Sequence, residues 1–257
     1  MTKKVMFDSN VWQKVVCPED YTDDPKYAEL CKVQEKIKAG DIEPYISETV
    51  FTLENVQKKH RKEKFGNMGS SIRSKVEVKD GEIHMRIEMG PNSDDAVSLN
   101  DNPKLKKYAE KALILGFRIV RGPRIGMFEC KDLNDKLYRV PNFNEYNEKL
   151  GEVVGKIEAR GAGKAQLDSL VYANTGASMS EKIKAAPEDE TKKIAKAIAE
   201  WADGDSVAMC IALGCDYFCS RDQARGAGIS SVLSKTNLAW LESDYGFKVV
   251  GPDALVL

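Results

Sequence analysis

The chain predicts an α/β fold: a mostly parallel central sheet flanked by helices, with an inserted β-hairpin and a second insertion of helix and loops. Three observations carry this. Short buried strand patterns at 4–7, 42–46, 117–120, 217–219 and 247–250 alternate with helical patterns, as in parallel sheets. Two strands deliver an aspartate at their carboxyl ends, Asp8 after KVMF and Asp222 after YFCSR, where such sheets bind ligands. From Val76 to Met89 the period becomes two around Asp80-Gly81, a hairpin signal.

In order, Asp8-Ser9-Asn10 closes the first strand. Pro25–Ala39 is predicted as an amphipathic helix with Tyr27, Leu30, Cys31, Val33 and Ile37 as its apolar positions, and it stops at Gly40. After the strand at 42–46, Ser47 caps a helix expected to reach about Lys64. On it Val50, Phe51 and Glu54 share a face, so Glu54 is a carboxylate on an apolar stripe: paired, protonated or bound to a cation. Glu48, in the first turn, suits the helix dipole. The helix ends in KKHRKEK, five Lys or Arg against one Glu, usually a solvated face.

Glycine-rich and polar flanks set the hairpin, Arg73–Met89, apart from the main body. Helices follow at Lys104–Leu115, Asn144–Ala159 and Thr191–Trp201, whereas 171–187 reads as loop. Asp205 then opens a short apolar helix, Ser206–Leu213, which Gly214 stops before the strand Tyr217–Cys219.

The balance of charge, 31% charged residues with a net charge of -1, gives no whole-chain support for a nucleic-acid partner, so any basic surface is local. No apolar run is long enough to span a membrane, and no signal peptide pattern opens the chain. The 6 cysteines form no CxxC pair and only 2 histidines are present, which argues against a zinc cluster and for a reduced, cytoplasmic protein.

Asp8, Glu54, Asp205 and Asp222 converge on this predicted sheet. Carboxylates gathered without basic partners repel unless a divalent cation neutralises them, and oxygen-only ligands suit Mg²⁺ or Mn²⁺. FDSNVW, YISETVFTLENV, GDSVAMCIALGCDYFCSRD and FKVVGPDAL, in this order, resemble the motifs of the PIN-domain nucleases. They cover about half of the chain in scattered pieces. The resemblance implies a single domain, 1–257, with a core at 1–64, 100–124 and 191–257 and insertions at 65–99 and 125–190. It also implies metal-dependent endonucleolytic hydrolysis of RNA, with Asp8, Glu54, Asp205 and Asp222 as catalytic metal ligands. Ser9, Asn10 and Ser220 would orient them. The interval from Ser47 to Glu54 is slightly longer than the family's, so Glu48 stands as the alternative second acid, and Asp203 as an additional one. Lys58, Lys59, Arg61, Lys62, Arg221 and Arg225 are candidate phosphate contacts. An antitoxin or other protein partner and a homodimer are further expectations from the resemblance.

Two competing readings stand beside this one. A catalytically inactive PIN-like module would bind RNA or act as a scaffold. A haloacid-dehalogenase-like phosphatase also opens with a strand and an aspartate, but needs a second aspartate where Asn10 stands.

Overall fold

A computed structural model of the chain describes residues 2–67, 70–79, 81–91, 98–122, 131–171, 178–222 and 230–256. The strands in chain order are β1 (Lys3–Phe7), β2 (Ile42–Ser47), β3 (Ser70–Lys79), β4 (Glu82–Pro91), β5 (Arg118–Val120), β6 (Tyr217–Cys219) and β7 (Val249–Val250). Five of them form one sheet in the order β5-β2-β1-β6-β7, with every pair parallel. The chain starts in the middle at β1, runs outward through β2 to β5, then crosses to β6 and β7 on the other side. Strand order therefore reverses between β1 and β6, and the crevice at their carboxyl ends is the switch point at which open α/β sheets bind ligands.

Alternation along each strand divides the core into two layers. Val5, Phe7, Ile46, Ile119 and Cys219 face one, and Met6, Tyr45, Val120 and Phe218 face the other. The first is covered by α1 (Trp12–Val16), α2 (Tyr27–Lys38), α3 (Glu48–Asn55) and α5 (Pro103–Ile114); α4 (Arg61–Gly66) lies beside it. The second is covered by α6 (Phe143–Ala159), α9 (Thr191–Ala212) and α10 (Lys235–Tyr245). A third cluster gathers Phe65 of α4, Leu167 of α7 (Lys164–Leu170) and Ile183 of α8 (Met179–Ala185) on the first half of α9.

Several expectations change. The helix capped by Ser47 ends at Asn55, because Val56 is extended at φ -109 and ψ 112, so the basic run starts a separate turn and helix rather than continuing the first. The helix expected to end at Trp201 continues unbroken to Ala212, so Asp205 lies inside α9 rather than at a helix start. Gly204 is what allows this: a Cβ there would meet the Gly163 Cα at 2.9 Å, so α9 passes a turn no side chain would fit. Residues 171–187, read as loop, contain α8 with a full capping box at Ser178 and Glu181. The stretch expected as an insertion at 125–190 supplies α6, whose Tyr146, Leu150, Val153 and Ile157 are integral to the second layer.

Strands β3 and β4 pair antiparallel with Lys79 opposite Glu82, so the hairpin forms about its predicted turn as a separate two-stranded sheet. Asp80 lies outside the described residues. Cys17, Cys31, Cys210, Cys215 and Cys219 are free thiols, and Cys130 is outside the described residues. No helix among the described residues is long and apolar enough to cross a membrane.

Candidate active site

The switch point is built by two loops tied together. Asp8 continues the β1–β6 pairing, its amide donating to the Cys219 carbonyl at 3.0 Å. Its Oδ1 accepts from the Ser9 amide at 2.6 Å and the Ser9 hydroxyl at 3.3 Å. Its Oδ2 accepts from the Ser220 hydroxyl at 2.6 Å and the Asn10 amide at 2.9 Å. Ser220 in turn accepts from the Asp222 amide at 3.0 Å, and the Arg221 amide donates to Asn10 Oδ1 at 3.0 Å. Ser9, Asn10 and Ser220 thus hold a buried carboxylate in one orientation, with Asp222 exposed beside it.

Electrostatics tie the remaining acids to this pair. Burial raises the Asp8 carboxyl above its ordinary range; the hydrogen bonds from Ser220 and Ser9 oppose this, and the Asp222 charge adds to it. Burial likewise pushes Glu54 up to about 7, against hydrogen bonds from Trp12 and Gln13 and with help from the Asp8 charge. The Trp12 indole donates to Glu54 Oε1 at 3.0 Å, and the Gln13 amide donates to Oε2. Asp203 is raised well above its ordinary range, first by desolvation and then by the charges of Asp8, Glu200 and Asp222, with Arg61 opposing. The Asp8 charge thus acts on Glu54 and Asp203, and the Asp222 charge on Asp8 and Asp203.

Asp205 and Glu48 are placed differently. Residues two apart on a helix point about 200° from each other, so a continuous α9 sets Asp203 and Asp205 on different faces. Asp205 is 1% exposed, and its charge acts on the Tyr146 hydroxyl of α6. Glu48 is fully buried and lies 3.5 Å from the Arg121 guanidinium. The Asp8 charge acts on Glu54.

The basic candidates also separate. Lys58 and Lys59 are exposed. Arg61 is buried, donating to the carbonyls of Ala195 at 3.4 Å and Leu53 at 3.3 Å. Lys62 is buried with its ammonium 2.6 Å from Glu188. Arg221 is held by Asp24 at 2.5 Å, and Asp24 also binds Lys14 at 2.7 Å. These three cations are committed to protein partners rather than offered to phosphate, because the helix break at Val56 turns Arg61 and Lys62 inward against α9. Arg225 lies outside the described residues.

Sequence reasoning missed Trp12 and Gln13 as the side chains that hold Glu54. It also missed Glu200, which accepts from the Val232 amide at 2.5 Å and so anchors the chain returning from the rim. Glu200 and Asp203 are three apart on α9 and share a face. Reading α9 as one helix would have shown this.

The donor chemistry fits a hard divalent cation: four carboxylates, with the neighbouring Cys219 thiol pushed up by burial and so kept protonated. Among the described residues, no three His, Cys, Asp or Glu side chains are drawn together tightly enough to enclose a metal ion. The fit is one of chemistry and field rather than of a closed coordination shell. No protein-family model, curated protein or solved structure matches the chain.

Proposed function

We propose that the chain is a PIN-like, Mg²⁺- or Mn²⁺-dependent nuclease that hydrolyses RNA phosphodiester bonds. The observation that carries this reading is that the Asp8 charge, at the switch point between β1 and β6, acts on Glu54 and Asp203 and itself feels Asp222. Like charges raise one another's pKa when no cation offsets them, so the cluster favours a divalent ion and disfavours being empty. When bound, such an ion supplies a water of lowered pKa and neutralises charge developing on the phosphate.

Asp8, Asp203 and Asp222 would hold the ion, with Glu54 completing the set. Asp203 stands in this proposal beside Asp205, the ligand that the motif implies. Ser220 and Asn10 fix the Asp8 carboxylate so that little reorganisation accompanies binding. Glu54, with its pKa near neutrality, sits at the value suited to holding or releasing a proton at pH 7.

A second reading, a non-cleaving RNA-binding module, is favoured by one observation: Trp12 and Gln13 already occupy both Glu54 oxygens. One experiment separates the two. A generic RNA is incubated with the purified chain in Mn²⁺, in Mg²⁺ and in chelator. Cleavage that needs metal and disappears in Asp222→Asn supports the nuclease; binding without cleavage under every condition supports the module.

A further inference from the structure

Between the turn at residues 58–60 and the first half of α9 lies a groove of about 820 Å³. It is lined by Ala195 and Ala199 of α9 and by Lys58, Lys59, Lys192 and Lys196. All four lysines are exposed, and among the described residues none is in a salt bridge, although the Lys196 charge acts on Glu200. Their neighbours are different: Lys62 pairs with Glu188 at 2.6 Å and Lys193 with Glu190 at 3.7 Å. Glu188 and Asp189 also line the groove, so its surplus is positive but not uniform.

One of the carboxylates lies close to the groove along α9. Asp203 lies one turn beyond Ala199 on α9, about 6 Å along the axis and about 40° around it. Arg61, in the groove wall, donates to the Ala195 carbonyl and acts electrostatically on Asp203.

We propose that this groove is a binding track for the phosphate backbone of a single RNA strand, leading it to the carboxylate rim. The proposal rests on the nuclease reading for the identity of the strand. A cleft of small-ligand volume admits one extended chain, not a duplex. Aliphatic lysine stems and alanines form its walls and leave the ammonium groups at the rim, an arrangement that binds phosphates without reading bases.

The test is fluorescence anisotropy with labelled oligouridine of 4 and 12 nucleotides, in chelator to prevent cleavage, across a salt series. The wild type is compared with Lys192→Glu/Lys196→Glu, Lys58→Glu/Lys59→Glu and, as a surface control, Lys32→Glu/Lys38→Glu, with melting temperature checking each fold. The wild type should bind the 12-mer more tightly than the 4-mer. Each groove pair should weaken 12-mer binding at least about tenfold at low salt and reduce the log–log salt slope by about 0.7 per lost contact. The length advantage should vanish, and the control should keep it. Wild-type affinity and slope in both groove variants would overturn the track, while metal-dependent cleavage lost in Asp222→Asn would leave the nuclease reading standing. A wild type that neither binds nor cleaves RNA would overturn both.

Discussion

At the carboxyl ends of β1 and β6, Asp8 accepts four hydrogen bonds from Ser9, Asn10 and Ser220, and its position is set by strands packed on both faces. In the β3–β4 hairpin, by contrast, Val76, Val78, Ile83 and Met85 are 56%, 70%, 74% and 63% exposed. Both regions come from strands, yet one is fixed by a core and the other is a two-stranded ribbon, a unit of marginal stability alone. A side chain at the end of a core strand has its location decided by the fold. The hairpin carries these four apolar residues to solvent, and its contribution depends on whatever it meets.

That contrast breaks most sharply at Asp222. Asp222→Asn should reduce metal-dependent RNA cleavage by orders of magnitude, whereas replacing residues 70–91 with a short Gly-Ser linker should leave the chain folded and cleaving. Global unfolding of the linker variant, seen by circular dichroism, would show the hairpin to be part of the core.

Glu54 gives the next effect. Its carboxyl is raised from 4.5 to about 7 in the native protein, so between those values the native chain holds a proton that the unfolded chain has lost. Stability of the metal-free protein should therefore fall as pH rises from about 4.5 to about 7, then level off. Glu54→Gln should remove this slope and be more stable than wild type at pH 8 by on the order of 2–3 kcal/mol, while losing cleavage. Urea unfolding at pH 5 and pH 8 measures it; a Glu54→Gln curve parallel to the wild type would contradict the shift. Glu48→Gln should instead lose stability through the Arg121 contact while cleavage stays near wild type.

Smaller effects sharpen the comparison. Ser220→Ala removes a donor to Asp8 and an acceptor for the Asp222 amide, and should cost roughly 10–100-fold in metal affinity or cleavage. Gly204→Ala would place a methyl against the Gly163 backbone and should destabilise by about 1–3 kcal/mol in denaturant unfolding. Smallest of all, Val78→Lys and Ile83→Lys should each change stability by about 0.5 kcal/mol or less, because both are exposed.

The parallel sheet was legible because all five strand patterns are short, apolar and separated by helices. Asp8, Asn10, Ser220 and Asp222 followed because they are within three residues of strand ends, where position in sequence and in space coincide. The third acid was less legible. Asp203 and Asp205 are neighbours in sequence, and only the continuity of α9 past Gly204 puts them on different faces. A glycine inside a helical pattern is commonly read as a break, and here it marks close packing against Gly163. The basic run was misleading for a related reason. Its composition predicts a solvated face, but the extended backbone at Val56 rotates Arg61 and Lys62 into the protein. Sequence spacing alone holds no sign of that turn, nor of Trp12 and Gln13 closing on Glu54 across about forty residues.

The central claim is that the gathered carboxylates are a cation site. The most direct measurement is the melting temperature of wild type and Asp222→Asn against Mn²⁺ up to millimolar concentration at pH 8, where Glu54 is ionised. A cation that binds only the native state adds about 2.7 kcal/mol of stability at a hundred times its Kd. The wild type should therefore melt progressively higher as Mn²⁺ is added, and Asp222→Asn should not respond. A wild-type melting temperature unchanged at millimolar Mn²⁺, or an equal rise in Asp222→Asn, would contradict the claim.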